Sequence, residues 1–167
     1  MSESITPSPI AIPDAPWYLR GEAVAFLAAP LTVRLLVNYT HSPVGPYHEH
    51  ALATLTRHGP HVFQMSVDLE ASRLGGRTIW GFPKTLESLS WTGNTEHIQF
   101  RRESQRFHVR AFGPIFPLAL PFWTAQQKQN NWVRVPGHIR ARARLAFRGP
   151  QLALALSGFE MEIEKPQ

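Results

Sequence analysis

The residues best suited to chemistry lie in one short segment that ends at Lys84. It reads Gly76-Arg77-Thr78-Ile79-Trp80-Gly81-Phe82-Pro83-Lys84-Thr85-Leu86, and only three of the 17 lysines and arginines in the chain are lysines. If the aromatic rings of the segment enclose Lys84, burial disfavours its ammonium form and lowers its pKa. A neutral amine can attack a ketone and form a Schiff base. The alternative is a solvated lysine on a turn, and the segment alone does not decide between the two.

A second candidate feature is the run Tyr47-His48-Glu49-His50. In a strand, Glu49 points to one face of the sheet and both histidines point to the other. With Glu49 facing the site, the run supplies a carboxylate that acts as an acid or orients another group. With the histidines facing the site, the pair could share a metal ion. No carboxylate follows His50 before Asp68, so we predict no metal site.

A third feature is the alternation of Arg140, Arg142 and Arg144, which a strand would place on one face. Such a face can contact phosphates. It can equally be the outer face of a strand or a contact between subunits. Aromatic residues are not interleaved on that face as single-strand binders require, and we predict no nucleic-acid partner.

Composition places the chain in the class of globular proteins. It has 167 residues, 43% of them hydrophobic and 17% charged, a formal charge of +5 and no cysteine. It has no run long and apolar enough for a membrane-spanning helix, and its first residues do not read as a secretory signal. We therefore expect a single domain in the cytoplasm, without a membrane partner and without a cofactor.

The pattern of short β-like runs separated by turn residues predicts a mainly β fold with one or two short helices. We expect an antiparallel closed or cone-like β-barrel over residues 17–167, preceded by an extended N-terminal arm over residues 1–16. The predicted helices are Asp68–Leu74 and Thr124–Asn131. The predicted strands are Ala23–Leu27, Val33–Tyr39, Tyr47–Thr56, His61–Asp68, Ser88–Thr92, Ile98–Arg102, Phe107–Phe112, Ile139–Phe147 and Leu152–Glu162.

Two of these motifs together resemble the acetoacetate decarboxylase superfamily. They are Gly76-Arg77-x-x-Trp80-Gly81-Phe82-Pro83-Lys84 and, upstream, Gly45-Pro46-Tyr47-His48-Glu49. The resemblance covers most of residues 17–158 and makes the chain a short, divergent member. It implies a cone-like β-barrel with a buried pocket, assembled into homo-oligomers, in which Lys84 matches the Schiff-base lysine and Glu49 matches a pocket glutamate.

The resemblance implies a lyase-type enzyme that acts on a small oxo acid, with decarboxylation of a β-keto acid as the favoured reaction. The alternatives are aldol or dehydration chemistry on the same imine, or a non-catalytic barrel that binds a small molecule. Arg34 or Arg20 would bind a substrate carboxylate. The apolar wall of the pocket would be formed by Trp80, Phe82, Phe63 and Met65.

The chain departs from the family pattern next to the lysine. Thr85 stands where the archetype has a second lysine, so desolvation is the only cause left to depress the pKa of Lys84. Arg34 stands where the archetype has another pocket acid. An ionised Glu49 close to Lys84 would raise the pKa of the lysine, and we therefore expect Glu49 to be protonated, or hydrogen-bonded and held away from the amine.

Overall fold

A computed structural model describes residues 7–167 of the chain, so residues 1–6 of the predicted arm lie outside the described part. The fold is mainly β, as predicted. Its elements are β1 (Trp17–Ala29), β2 (Thr32–His41), β3 (Tyr47–Thr56), β4 (Gly59–Val67), α1 (Glu70–Gly75), a π-helical turn (Gly76–Trp80), β5 (Lys84–Leu86), β6 (Leu89–Gly93), β7 (His97–Arg102), β8 (Gln105–Lys128), β9 (Asn131–Arg148) and β10 (Gln151–Ile163).

The ten strands form one sheet in the order β5-β4-β3-β2-β1-β10-β9-β8-β7-β6. Strand pairs are antiparallel except β4 and β5, which run parallel. The parallel pair arises because α1 and the π-helical turn form a crossover that returns the chain, so that β5 runs beside β4 in the same direction. The sheet is therefore mixed and open, with β5 and β6 as its ends, rather than the closed antiparallel barrel that was predicted.

The sheet buries apolar side chains on both faces. Successive residues of a strand point to opposite faces, so Val37 joins one core and its neighbour Leu36 joins the other. The first core lies under α1 and the π-helical turn, and the second lies under β6, β7 and β8. The first core includes Trp17, Leu19, Val37, Tyr39, Tyr47, Ala51, Met65, Val67, Trp80, Phe82 and Phe159. The second includes Val24, Phe26, Leu36, Leu89, Ile98, Phe100, Phe107, Val109 and Ala146.

The predicted helix Thr124–Asn131 is wrong, because these residues form the tip of the long β8–β9 hairpin. Lys128 pairs with Asn131, and between them Gln129 and Asn130 have φ values of 50° and 66°. A two-residue turn with both central residues in the left-handed region matches the twist of a hairpin. Gln129 and Asn130 therefore connect two strands rather than lie in a helix.

Strand β8 is much longer than the predicted Phe107–Phe112. The prediction was too short because Pro114, Pro117 and Pro121 are residues that normally interrupt a strand. Beyond Arg110, β8 pairs with β9 but no longer with β7. Proline is tolerated in such a strand because its missing N–H can lie on the unpaired edge.

The predicted helix Asp68–Leu74 is present with shifted ends. Asp68 does not cap it, because the Asp68 carboxylate accepts hydrogen bonds from the backbone N–H of His48 (2.7 Å) and pairs with the His48 ring (2.6 Å). The helix begins at Glu70, and Gly75-Gly76 does not end the helical path. The path continues as the π-helical turn and ends at Gly81, whose φ of 77° suits glycine.

The described part of the predicted arm, residues 7–16, has no helix or strand. Its last residues nevertheless contact the sheet. Ile12 packs against the first core, and the Trp17 indole Nε1 donates a hydrogen bond to the Pro13 carbonyl oxygen (2.9 Å).

The approach of β1 to β2 gives a test of the fold. A Cβ at Gly21 would lie 1.9 Å from the Asn38 carbonyl oxygen, whereas a Cβ at Gly149 would meet nothing within 4 Å. We expect Gly21→Ala to lower the free energy of unfolding by about 3 kcal/mol or more, because backbone atoms must separate. Gly149→Ala, where φ is 56°, should cost about 1 kcal/mol from the backbone conformation alone. Urea unfolding measures both, and equal costs would contradict this pairing of β1 with β2.

Candidate active site

Lys84 lies at the start of β5, where three local features fix its position. Gly81 ends the π-helical turn, Pro83 restricts the backbone before the lysine, and β5 pairs with β4 so that Lys84 lies beside Met65. The Arg77 guanidinium donates a hydrogen bond to the Lys84 carbonyl oxygen (2.6 Å). Lys84 therefore enters the first core from a constrained backbone.

The Lys84 amine is buried among polar groups. The residue is 4% exposed. Its Nζ lies 3.1 Å from Glu49 Oε2, donates to Ser72 Oγ at 3.0 Å, and lies 5.2 Å from the centre of the Tyr47 ring. Lys84 is therefore not a solvated lysine on a turn.

Glu49 is the buried partner of this amine. It is also 4% exposed, and its Oε1 accepts a hydrogen bond from the Tyr39 hydroxyl at 3.1 Å. Strand alternation directs Glu49 into the first core and His50 to the opposite face. Glu49 is not held away from the amine, which departs from the expectation stated above.

The charges of this cluster oppose the activation that was predicted for the lysine. Burial lowers the pKa of Lys84, but the Glu49 carboxylate and the Tyr47 hydroxyl raise it by more, and the pKa lies above its ordinary value. Burial and the nearby Glu49 raise the pKa of Tyr47 to about 12, partly offset by Lys84. At neutral pH the resting cluster is therefore an ion pair with neutral phenols.

The helical cover, which consists of α1 and the π-helical turn, packs closely against Lys84 because residue 76 is glycine. A Cβ at Gly76 would lie 2.5 Å from Lys84 Cδ and 2.6 Å from Cε. The lysine stem cannot move aside freely, because its amine is held by Glu49 and Ser72. A π-helical turn is a rare element that is often found at functional sites.

The four predicted wall residues divide into three in the core and one at the surface. Trp80, Phe82 and Met65 are buried in the first core with Lys84. Trp80 also donates a hydrogen bond from its indole Nε1 to the Glu164 carbonyl oxygen (2.7 Å). Phe63 is 44% exposed and lies in a surface groove.

This groove, which we call the Phe63 groove, has a volume of about 660 Å³ and adjoins the segment that precedes Lys84. Its lining includes Phe82 and Pro83 but not Lys84. The complete lining is His61, Phe63, Arg77, Thr78, Gly81, Phe82, Pro83, Gln127, Lys128 and Gln129. The groove therefore borders the segment that leads to Lys84 without including the lysine itself.

Neither arginine expected at the pocket is brought to Lys84. Arg34 points to the second core, where its guanidinium donates to His50 Nε2 at 2.8 Å. Its strand neighbours Val37 and Tyr39, at odd positions, face the first core instead. Arg20 is an exposed residue that pairs with Glu160 at 3.7 Å.

The remaining sequence motifs have structural partners. His48 pairs with Asp68 and His50 with Arg34, and no group of three potential metal ligands is found in residues 7–167. Arg140 and Arg144 pair with carboxylates, Glu160 and Glu96 respectively. No helix within the described residues has the length and hydropathy to cross a membrane.

The sequence reading missed Tyr39, Tyr47 and Ser72, which complete the polar cluster. Tyr47 carried a usable signal, because it alternates with Glu49 in a strand and must share its face. Tyr39 and Ser72 carried no comparable signal. Their places depend on the register of β2 against β3 and on the path of α1 over the sheet.

Solved structures show which fold this is. The chain resembles the crystal structure of acetoacetate decarboxylase from Legionella pneumophila subsp. pneumophila str. Philadelphia 1, with a TM-score of 0.60 at 13% identity over 99% of this chain and 92% of that one. It resembles the enduracididine biosynthesis enzyme MppR complexed with pyruvate, with a TM-score of 0.60 at 8% identity over 96% and 92% of the two chains.

A further solved structure, from structural studies of acetoacetate decarboxylase, gives a TM-score of 0.55 at 11% identity over 93% of this chain and 88% of that one. No protein-family model and no curated protein matches the sequence significantly. The likeness to the acetoacetate decarboxylase superfamily that the motifs predicted is confirmed as a shared fold.

The buried ion pair can be tested by a double-mutant cycle. Lys84→Met leaves the Glu49 carboxylate buried without its partner, and we expect the free energy of unfolding to fall by about 3–5 kcal/mol. The double variant Lys84→Met/Glu49→Leu should recover a large part of this loss, because no charge remains buried. The exposed pair Arg140–Glu160 is the control, and Arg140→Met should cost less than about 1 kcal/mol. Additive losses at Lys84 and Glu49 in urea unfolding would contradict the ion pair.

The environment of His50 predicts a second measurable property. Burial, followed by Arg102 and Arg34, lowers the pKa of His50 to about 4. The unfolded chain takes up this proton near pH 6.5, so the stabilising contribution of neutral His50 is complete above that pH and is lost as the pH falls towards 4. An NMR titration of the His50 ring should show a midpoint near 4, and His50→Gln should reduce the loss of stability in this range. A midpoint near 6.5 would contradict the burial.

Proposed function

We propose that this chain, which has an acetoacetate decarboxylase-like fold, is a lyase-type enzyme that binds a small oxo acid as a Schiff base on Lys84. Decarboxylation of a β-keto acid is the reaction we favour. The observation that carries the proposal is the buried Lys84 amine in the first core, 3.1 Å from Glu49 Oε2. An amine placed beside a carboxylate in a water-poor site has both groups that imine formation needs.

The amine becomes nucleophilic by proton transfer inside the pair. Transfer of one proton from Lys84 Nζ to Glu49 Oε2 converts two buried charges into two neutral groups. Such a change is favoured when a substrate excludes the remaining water, because burial penalises charged forms. Ser72 and Tyr47 then hold the nitrogen, and the Tyr39 hydroxyl holds the other oxygen of Glu49.

The bond changes follow from this arrangement. Nζ attacks the ketone carbon while Glu49 gives its proton to the carbonyl oxygen and then takes one from nitrogen. Glu49 returns that proton to the hydroxyl group, which leaves as water and forms the iminium. The bond between the carboxylate and the carbon next to the iminium breaks, and its electrons move towards nitrogen. CO2 departs, and an enamine remains on Lys84. A proton from solvent water adds to the enamine carbon and restores the iminium. One water molecule, equivalent to the one released earlier, then hydrolyses the iminium while Glu49 takes its proton, which releases the ketone product and restores Lys84.

The Phe63 groove supports an anionic substrate. Arg77 and Lys128 give it two positive charges, and Phe63, Phe82 and Pro83 give it an apolar wall. The mixture suits a short oxo acid, whose carboxylate and hydrocarbon parts need different surroundings. We propose that the substrate enters here, beside the segment that leads to Lys84.

A non-catalytic protein that binds a small molecule is the second candidate. The specific observation in its favour is the raised pKa of Lys84, because a permanently charged amine cannot attack a ketone. Aldol or dehydration chemistry shares the imine with decarboxylation and differs in the bond that breaks or forms after the imine. The same trapping experiment separates these three functions.

The Schiff base can be trapped by reduction. We expect incubation with acetoacetate followed by borohydride to add mass to the wild-type protein, because the reduced imine is a stable secondary amine. Peptide mapping should place the adduct on Lys84, and an adduct with the mass of acetone rather than acetoacetate shows that CO2 left before reduction. Incubation with pyruvate tests an oxo acid that has no β-carboxylate.

The small number of lysines supplies matched controls. Lys128→Arg and Lys165→Arg should retain the adduct, whereas Lys84→Met should lose it and Glu49→Gln should slow its formation by about tenfold or more. The absence of an adduct in the wild type, or an equal adduct in Lys84→Met, would remove the Schiff-base role. Retained ligand binding without an adduct would favour the non-catalytic binding protein.

A further inference from the structure

We propose that the second core holds a binding site for a phosphate group, formed by the guanidinium groups of Arg34, Arg102 and Arg148. We call these residues, with His50, Glu87 and Phe107, the arginine cluster. The cluster lies on the face of the sheet opposite Lys84, so the proposal does not depend on the proposed enzyme reaction.

Two arginines of the cluster come together over one aromatic ring. The Arg34 and Arg148 guanidinium carbons lie 5.2 and 5.6 Å from the centre of the Phe107 ring, and Arg148 also lies 4.9 Å from the Phe26 ring. These two arginines come from β2 and from the end of β9. Aromatic rings that support guanidinium groups hold them in place while leaving their N–H groups free to bind an anion.

The cluster has more positive charge than its own acids neutralise. Glu87 Oε2 accepts a hydrogen bond from Arg102 Nε at 2.8 Å, and both side chains are largely buried. Exposed Glu103 borders Glu87 at the edge of the cluster. Glu87 is therefore the one interior carboxylate of the cluster, it pairs with Arg102, and Arg34 and Arg148 have no carboxylate partner among the described residues. Burial and the charges of Arg102 and Arg148 lower the pKa of Arg34, as expected when like charges are held close together.

Two buried donors in the cluster have no acceptor within residues 7–167. Arg34 donates to His50 Nε2, so the neutral His50 ring carries its proton on Nδ1, and Nδ1 is buried without a hydrogen-bond partner. Arg148 Nε is likewise buried without a partner. An unsatisfied buried donor costs about 1–3 kcal/mol, and an anionic acceptor would remove that cost.

Phosphate fits this donor set better than the other small ligands do. A metal ion is repelled by three guanidinium groups, and an apolar ligand leaves their charge unbalanced. A carboxylate offers two oxygens, whereas phosphate offers more acceptor oxygens and up to two negative charges. Arginine matches phosphate in a two-point geometry, and the partial exposure of the three arginines leaves the site open to a small anion.

Thermal unfolding of the full chain provides the test. Inorganic phosphate replaces chloride at constant ionic strength, and acetate is a separate arm. We expect the Tm of the wild type to rise with phosphate and to saturate, as binding to the folded state requires. Arg148→Met keeps the contact with the Phe26 and Phe107 rings but removes the charge, and it should weaken the apparent Kd for phosphate by at least about tenfold.

The proposal also predicts the Tm of the variants in the absence of phosphate. Arg148→Met should then unfold at the same Tm as the wild type or a higher one, because one repelling charge is gone; a lower Tm would favour a purely structural arginine. Arg140→Met, an exposed arginine outside the cluster, should bind phosphate as the wild type does. If Arg148→Met does not fold, Arg148→Lys replaces it, and its Kd should be weakened because the two-point geometry is lost.

Three further results would overturn the proposal. They are a Tm that does not respond to phosphate in the wild type, an equal response to acetate, and an equal apparent Kd in the wild type and the Arg148 variant. Failure of the Schiff-base trapping would leave these results unaffected, because Lys84 and the arginine cluster lie on opposite faces of the sheet.

Discussion

The interaction on which the rest of this structure depends is the buried ion pair between Lys84 and Glu49. Two charges that are 4% exposed are costly unless each has hydrogen-bond partners. Those partners come from separate elements: Tyr39 from β2, Glu49 from β3, Ser72 from α1 and Lys84 from β5. The pair therefore ties the helical cover to the sheet. Gly76 lies against the lysine stem, where a Cβ would come within 2.5 Å of Lys84 Cδ and 2.6 Å of Cε.

The alternation of side chains in β3 separates two polar systems that are adjacent in sequence. Glu49 belongs to the first core and His50 to the second, and each contacts a residue of β2 on its own face, Tyr39 and Arg34. The two faces differ in charge balance. The lysine has a carboxylate at 3.1 Å, whereas the cluster of three arginines on the other face contains one interior carboxylate, Glu87, which pairs with Arg102. One sheet can thus hold a neutralised pair and an unbalanced cluster, because the backbone between them keeps the two apart.

The sequence predicts this molecule best where the argument is local. Most strands, the helix after β4, and the face shared by Tyr47 and Glu49 follow from alternation and turn residues within a few positions. Arg34 shows where such reasoning stops. Its distance from Lys84 depends on the register of β2 with β3, in which Val37 lies opposite Glu49, and one residue of shift would exchange the faces. The length of β8 was hidden for a similar reason, because only the pairing partner shows that its prolines occupy a free edge.

Desolvation alone cannot activate Lys84. A lysine surrounded only by rings would lose its proton, but here the carboxylate at 3.1 Å reverses the direction of the pKa shift. Thr85 contributes no neighbouring positive charge that would offset this effect. The amine can become neutral only if Glu49 becomes neutral with it, and exclusion of water favours that joint change because it removes two charges at once. If the chain is an enzyme, the carboxylate that suppresses the free amine in the resting state is therefore also the base that releases it when a substrate closes the site.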